Sequence, residues 1–319
     1  MIDQSYQALL IEIRKTFPKK SLMVNTLADI LRIDKGAVYR RLRQEVPFTF
    51  NEIISIAEHL NISLDNLINI EKNQSIPFQL YLPDYVSPKD PDFCILEVFI
   101  KYLQSINQLE NSETASVTNV LPHDLSYEFH YLSLFDLFKW NFHYNNDKAK
   151  SFHQISASPK MNRFLTEYSM EMKKFNKTCY IFDNKIFRIL VNDIHYFNSI
   201  RLMKKEDTLK IKEELFSMLD YLEKMAITGQ FKETGNSVSL YISDIDITTS
   251  YTYLEAKNTY FSMVKTFILA AISSLNEKTF EVIKKWTHAL IKISTLITLT
   301  NEKQRVMYFE KQRKIINEL

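Results

Sequence analysis

Apolar residues recur at helical spacing along most of the chain. From residue 3 to about 70 the pattern predicts a run of short helices. Further on, Leu96, Phe99, Ile100 and Leu103 mark one amphipathic helix, and Phe164, Leu165, Tyr168 and Met172 mark another. Ile186, Ile189, Leu190 and Ile194 continue the series, as do Leu215, Leu219 and Leu222. Val264, Phe267, Ile268 and Ala271 fit the same period, followed by Val282, Trp286 and Ala289 and then by Val306, Phe309 and Ile316. One segment departs from it. Val238, Leu240 and Ile242 alternate with polar residues, and Ile245, Ile247, Tyr251 and Tyr253 extend the two-residue rhythm, which predicts a strand or hairpin.

Pro77, Pro83, Pro88 and Pro91 interrupt any helix between the two regions, because each lacks an N–H and restrains the residue before it. The expected organisation is therefore a helical domain over 1–72, a Pro-containing linker over 73–91 and a larger helical domain over 92–319 with a small β element. The fold class is mainly α.

Within the first domain, Leu27, Ala28 and Leu31 line one face of a short helix, and Ile33 plugs the turn after it. Asp34 is placed to cap the next helix, on which Val38 and Leu42 turn inward. That packing leaves Lys35, Gly36, Tyr39, Arg40 and Arg43 outside, with Arg32 at the turn. From Arg32 to Arg43 five basic residues face one acid, Asp34, a local excess of +4. Across the chain 40 Lys and Arg balance 38 Asp and Glu, so a nucleic-acid surface has to be local. Thr49 and Glu52 form a capping-box pattern that opens the helix of Ile53, Ile54, Ala57 and Leu60, and Ser63 caps a further one holding Leu64, Leu67 and Ile68.

These residues, from about 21 to 70, resemble the Cro/C1-type (lambda-repressor-like) helix-turn-helix family, bacterial transcriptional regulators in which such a domain heads a larger helical region. The resemblance is carried by Leu27-Ala28, Ile33-Asp34, Val38-Tyr39-Arg40, Thr49-Phe50 and the run Ile56 to Asp65. It implies double-stranded DNA as partner, with Lys35, Gly36, Tyr39 and Arg40 on the recognition helix. Lys35, Tyr39 and Arg40 are expected to read bases, whereas Arg32, Arg41 and Arg43 touch phosphates. The chain departs from the family at Met23 and Val24, where a Ser or Thr usually opens the second helix, and at Arg41, where many members bury an apolar residue.

The remaining constellations carry less chemistry. His123, His130, His143 and His153 lack the spacing of a zinc motif, so no metal is expected. Three glycines, Gly36, Gly229 and Gly235, cannot build a phosphate loop or a dinucleotide fingerprint, and no cofactor is expected. Asp244 and Asp246 share a face if their segment is a strand, but neither a third ligand nor a base accompanies them. No nucleophile motif stands out, and an enzyme is not expected. The aromatic run from Phe129 to Tyr144 reads as core, or as the wall of a pocket for a small-molecule or peptide effector.

Cys94 and Cys179 read as buried free thiols in a reducing cytoplasm. No uncharged stretch exceeds eleven residues, short of the ~20 that a spanning helix needs. The expectation is a cytoplasmic, homodimeric transcriptional regulator whose larger domain dimerises, with the apolar stripe Val306, Phe309, Ile316 and Leu319 as a candidate interface. The alternative is a helical sensor whose N-terminal module binds protein rather than DNA.

Overall fold

A computed structural model describes residues 4–17, 19–60, 62, 64, 67, 78–144 and 150–319. The chain divides into two units, residues 1–77 and 78–319.

In the first unit, α1 (Gln4–Thr16), α2 (Lys20–Leu31), α3 (Lys35–Leu42) and α4 (Phe50–Leu60) enclose one core. Leu10, Ile13, Leu27, Val38 and Ile56 are its most buried members. Met23 and Val24 also lie inside it, since α2 begins at Lys20 and carries both on its inner face. Truncating Leu27 to Ala would cost about 2–5 kcal/mol, because neighbours on three helices cannot all collapse into the gap. Most of the helix expected after Ser63 lies outside the described residues, although Leu67 is buried in this core.

The second unit overturns the expectation of a mainly α protein with a small β element. Its centre is an eight-stranded mixed sheet. The strands are β1 (Gln79–Leu80), β2 (Glu113–Thr118), β3 (Lys177–Asp183), β4 (Ser237–Ser243), β5 (Tyr251–Ala256), β6 (Thr259–Lys265), β7 (Ala271–Ser274) and β8 (Ser294–Leu296), in spatial order β1-β7-β6-β5-β2-β3-β4-β8. β2, β3 and β4 run parallel, with Ala115 opposite Cys179 and Cys179 opposite Ser239; the other pairings are antiparallel. Residues 79–80 of the Pro-containing stretch thus belong to a sheet edge, Leu80 pairing with Ile272.

The helices of this unit are α5 (Asp90–Asn107), α6 (His123–Ser126), α7 (His130–Tyr144), α8 (Pro159–Met172), α9 (Ile186–Ser199), α10 (Lys205–Thr228), α11 (Glu277–Lys292) and α12 (Glu302–Ile316). Both parallel connections are helical, as a crossover between parallel strands requires: α6 to α8 join β2 to β3, and α9 and α10 join β3 to β4. On one face of the sheet, Tyr180, Phe182, Leu240 and Ile242 pack in a core shared with α7, α9, α10 and α12. On the other, Val117 and Ile181 meet Leu290 and Ile291 of α11.

Three sequence expectations change with this sheet. Val264 to Ala271 is no helix: it spans the end of β6, a turn closed by Thr266 and Phe267 N–H on Ala270 O, and the start of β7. β4 and β5 are strands as expected, yet they are separated by β2 and β3 rather than forming a hairpin. Asp244 and Asp246 sit in the loop after β4, where Asp246 pairs with Lys185 at 2.7 Å.

The apolar stripe of α12 packs within its own unit. Phe309 and Ile316 are fully buried, Leu319 lies against the same core, and of the four only Val306 is exposed. Cys94 is exposed rather than buried; burial pushes the Cys179 thiol up to about 12. Among the described residues no helix is long and apolar enough to cross a membrane.

At the end of α8, Lys173 is wholly buried between Glu128 (2.7 Å) and Glu233 (3.3 Å), its ammonium 4.8 Å from the centre of the Tyr221 ring. A buried ammonium is tolerable because two carboxylates and an aromatic face replace its water.

Candidate nucleic-acid interface

The turn between α2 and α3 is built by three residues. Arg32 ends α2 in the left-handed conformation (φ 53), and the N–H of Ile33 reaches back to Ala28 O. Asp34 then caps α3, its carboxylate accepting from Ala37 N at 2.9 Å. Gly36 follows from that cap, because a Cβ at position 36 would stand 2.9 Å from the capping Oδ1.

Along α3 the burial pattern fixes what is presented outward. Ala37, Val38 and Leu42 are buried, so Lys35, Gly36 and Arg40 face solvent together with Arg43 at the helix end. Tyr39 is half-buried against the core, with Lys20 Nζ 5.8 Å and the Arg43 guanidinium 6.0 Å from its ring centre. The structure thus brings Arg32, Lys35, Gly36, Tyr39, Arg40 and Arg43 onto one turn and one helix face. Lys20 joins them from the start of α2, a neighbour that spacing along α3 alone could not reveal.

Arg41 is placed differently. Its guanidinium grips Glu52 of α4 with Nη2 to Oε1 at 2.7 Å and Nε to Oε2 at 3.0 Å, and both side chains are about 15% exposed. The same carboxylate closes the capping box of α4, accepting from Thr49 N at 2.8 Å while Glu52 N donates to Thr49 Oγ1. Burial pushes the Glu52 pKa up, but the hydrogen bonds from Arg41 and Thr49 outweigh it and hold the carboxyl below its usual range. At this position the chain has a charged strut between α3 and α4.

α1 braces the opposite end of α3. Gln7 and Gln44 exchange amide hydrogen bonds (2.7 and 3.2 Å), and Tyr6 Oη accepts from Phe48 N at 2.9 Å. The outer face of α3 is therefore carried by a helix fixed at its cap, at its middle and at its C-terminal turn. Such a helix end, with an exposed positive face and a rigid support, can lie in a DNA groove without paying to order itself first.

The histidines do not converge on a metal site, and among the described residues no group of three or more His, Cys, Asp or Glu side chains could hold an ion.

Comparison with known proteins adds one match. No curated protein and no solved structure gave a significant match to the chain. Residues 12–85 match the BetR domain, a helix-turn-helix-type DNA-binding domain, so the region that carries the basic face is of a DNA-binding kind.

Proposed function

We propose that this protein is a Cro/C1-type, sequence-specific transcriptional regulator of the bacterial cytoplasm, a binding protein rather than a catalyst. α3 enters the major groove, where Lys35, Tyr39 and Arg40 meet bases, and Arg32 and Arg43 hold the flanking phosphates. The observation that carries this reading is the exposed cationic face of α3 behind a capped turn, within a region matching a DNA-binding domain. Arg41 is left out of this proposed contact, since two of its guanidinium nitrogens face Glu52.

One such helix reads only a few base pairs, so the regulator acts as a homodimer on two half-sites about one helical turn apart. The larger unit supplies the dimer contact and receives the effector. The buried stripe of α12 is not that contact.

Selection of bound fragments from a random duplex pool tests the assignment. An enriched motif with two-fold symmetry is expected. Arg40→Ala should then cost about 1–3 kcal/mol at the selected site and relax one base position. Arg43→Ala should weaken all sequences alike and reduce the salt slope by about 0.9. Equal binding by wild type and the double variant at every salt concentration overturns the role of α3.

A further inference from the structure

The second unit holds a cavity of about 500 Å³ at the carboxyl end of its parallel strands. The loop after β2 (Asn119 to His123), the first turns of α9 after β3, and the Thr248 to Ser250 loop before β5 all reach it. β2 has parallel β3 on one side and antiparallel β5 on the other, and the cavity lies beyond the carboxyl ends of the parallel strands, the end at which open α/β sheets take their ligands. Its apolar walls are Leu132, Phe135, Ile186, Leu190 and Ile268.

Two polar groups in this cavity are under-partnered. The ammonium of Lys265, the last residue of β6, has one hydrogen-bond partner among the described residues, His123 Nε2 at 3.1 Å. That nitrogen must accept from the ammonium, so the imidazole is neutral, and two N–H groups of Lys265 have no protein acceptor. No carboxylate comes within 4 Å of Lys265 among the described residues; Asp136 instead pairs with Lys139 at 3.3 Å. Burial holds the Lys265 ammonium down to about 8, against the pull of Asp136. Independently, Ser126 Oγ is buried with no hydrogen-bond partner. The Ser126 hydroxyl, buried without a partner, is costly unless a ligand completes it, and the half-buried Lys265 ammonium beside it offers such a ligand a charge.

We infer that this cavity binds a small monocarboxylate with an apolar body, its carboxylate on Lys265 Nζ and Ser126 Oγ and its body against Leu132, Phe135 and Ile268. Charge selects the class. Lys139 is shared between Asp136 (3.3 Å) and Asp193 (3.5 Å), so the lining charges cancel as a set, but Lys265 has no carboxylate within 4 Å among the described residues and can take one carboxylate, while the two aspartates oppose a second negative charge on the ligand. A monoanion is matched, whereas a phosphate dianion is not. The inference is the effector class for the larger unit, and it stands or falls without DNA.

Calorimetric titration of the full chain with octanoate, octanamide and inorganic phosphate tests it. Saturable octanoate binding at one site per chain is expected, with octanamide at least tenfold weaker and phosphate not bound. Lys265→Met should weaken octanoate at least tenfold, and Ile268→Trp, which fills the cavity without touching the cation, should do the same. Both variants are to be compared at unchanged far-ultraviolet circular dichroism and melting temperature, so that a folding defect is not read as lost binding. Absence of octanoate binding, equal affinity for octanamide, phosphate binding as tightly as octanoate, or full affinity in well-folded Lys265→Met each overturns the proposal.

Discussion

Replacing Arg41 by Met removes the guanidinium but keeps a long apolar stem, which makes it the sharpest test of how α3 is held. Exposed ion pairs contribute about 0–1 kcal/mol, and breaking a fully buried one costs about 3–5. The Arg41–Glu52 pair lies between these limits, with both side chains about 15% exposed and joined by one hydrogen bond (3.0 Å) and a second N–O contact of 2.7 Å. A cost of about 2 kcal/mol is expected for Arg41→Met. Glu52→Gln should cost slightly more, because the amide also serves the capping box less well. The double variant should then cost less than the sum of the singles, with a coupling of about 1–2 kcal/mol. Native-state hydrogen exchange of α3 and α4 amides in the full chain reads this unit separately from the sheet unit. In parallel, the salt dependence of DNA binding should keep its slope in Arg41→Met. A coupling below about 0.5 kcal/mol together with a slope reduced by about 0.9 would refute the reasoning and make Arg41 a phosphate contact.

Three further outcomes follow from geometry. Gly36→Ala gains helix propensity but crowds the Asp34 cap at 2.9 Å, so thermal stability should change by less than about 0.5 kcal/mol while DNA affinity falls, as paired melting and binding measurements would show. His123 is held down to about 3 by burial, with Lys265 adding to the effect, so the unfolded chain binds a proton that the folded one refuses between about pH 3 and 6.5. Stability should fall as pH drops through that window, by about 2 kcal/mol between pH 7 and pH 5, and urea titrations should show that part of the loss absent in His123→Gln. Lys173→Met leaves Glu128 and Glu233 facing each other without their cation, and should cost about 2–3 kcal/mol in the transition followed by Trp140 and Trp286 fluorescence.

The helix-turn-helix was legible because its signals are local. Leu27, Ile33, Val38 and Leu42 alternate with the period of their helices, and Asp34, Thr49 and Glu52 each act within three residues of themselves. The sheet was not legible for the opposite reason. β3 is buried on both faces, so Cys179, Tyr180, Ile181 and Phe182 form a short continuous run without alternation. After Glu113, β2 is made of Thr, Ala, Ser and Val, and its Thr114 and Ser116 hydroxyls become tolerable only by bonding to Tyr253 O and Thr252 Oγ1, more than 130 residues away. Val264 to Ala271 mimicked a helical stripe because two strands and their turn happened to space apolar residues by three and four. The cavity was foreshadowed only by Phe135 in the aromatic run; Lys265 and Ser126 carry no sequence mark, since what sets them apart is what fails to surround them. The strut from Arg41 to Glu52 was equally hidden, because a basic residue on a basic helix looks like one more phosphate contact.

Arg32 makes the turn before α3 a place where durability and recognition compete. A left-handed backbone costs a residue with a Cβ roughly 1 kcal/mol that glycine would not incur, and helices commonly end on glycine for that reason. Laboratory evolution for heat tolerance alone would thus draw Gly to position 32 and remove a cation from the edge of the proposed recognition surface. Evolution for tighter operator binding would hold Arg there against the strain. The residue recovered at this one position would report which demand had been imposed.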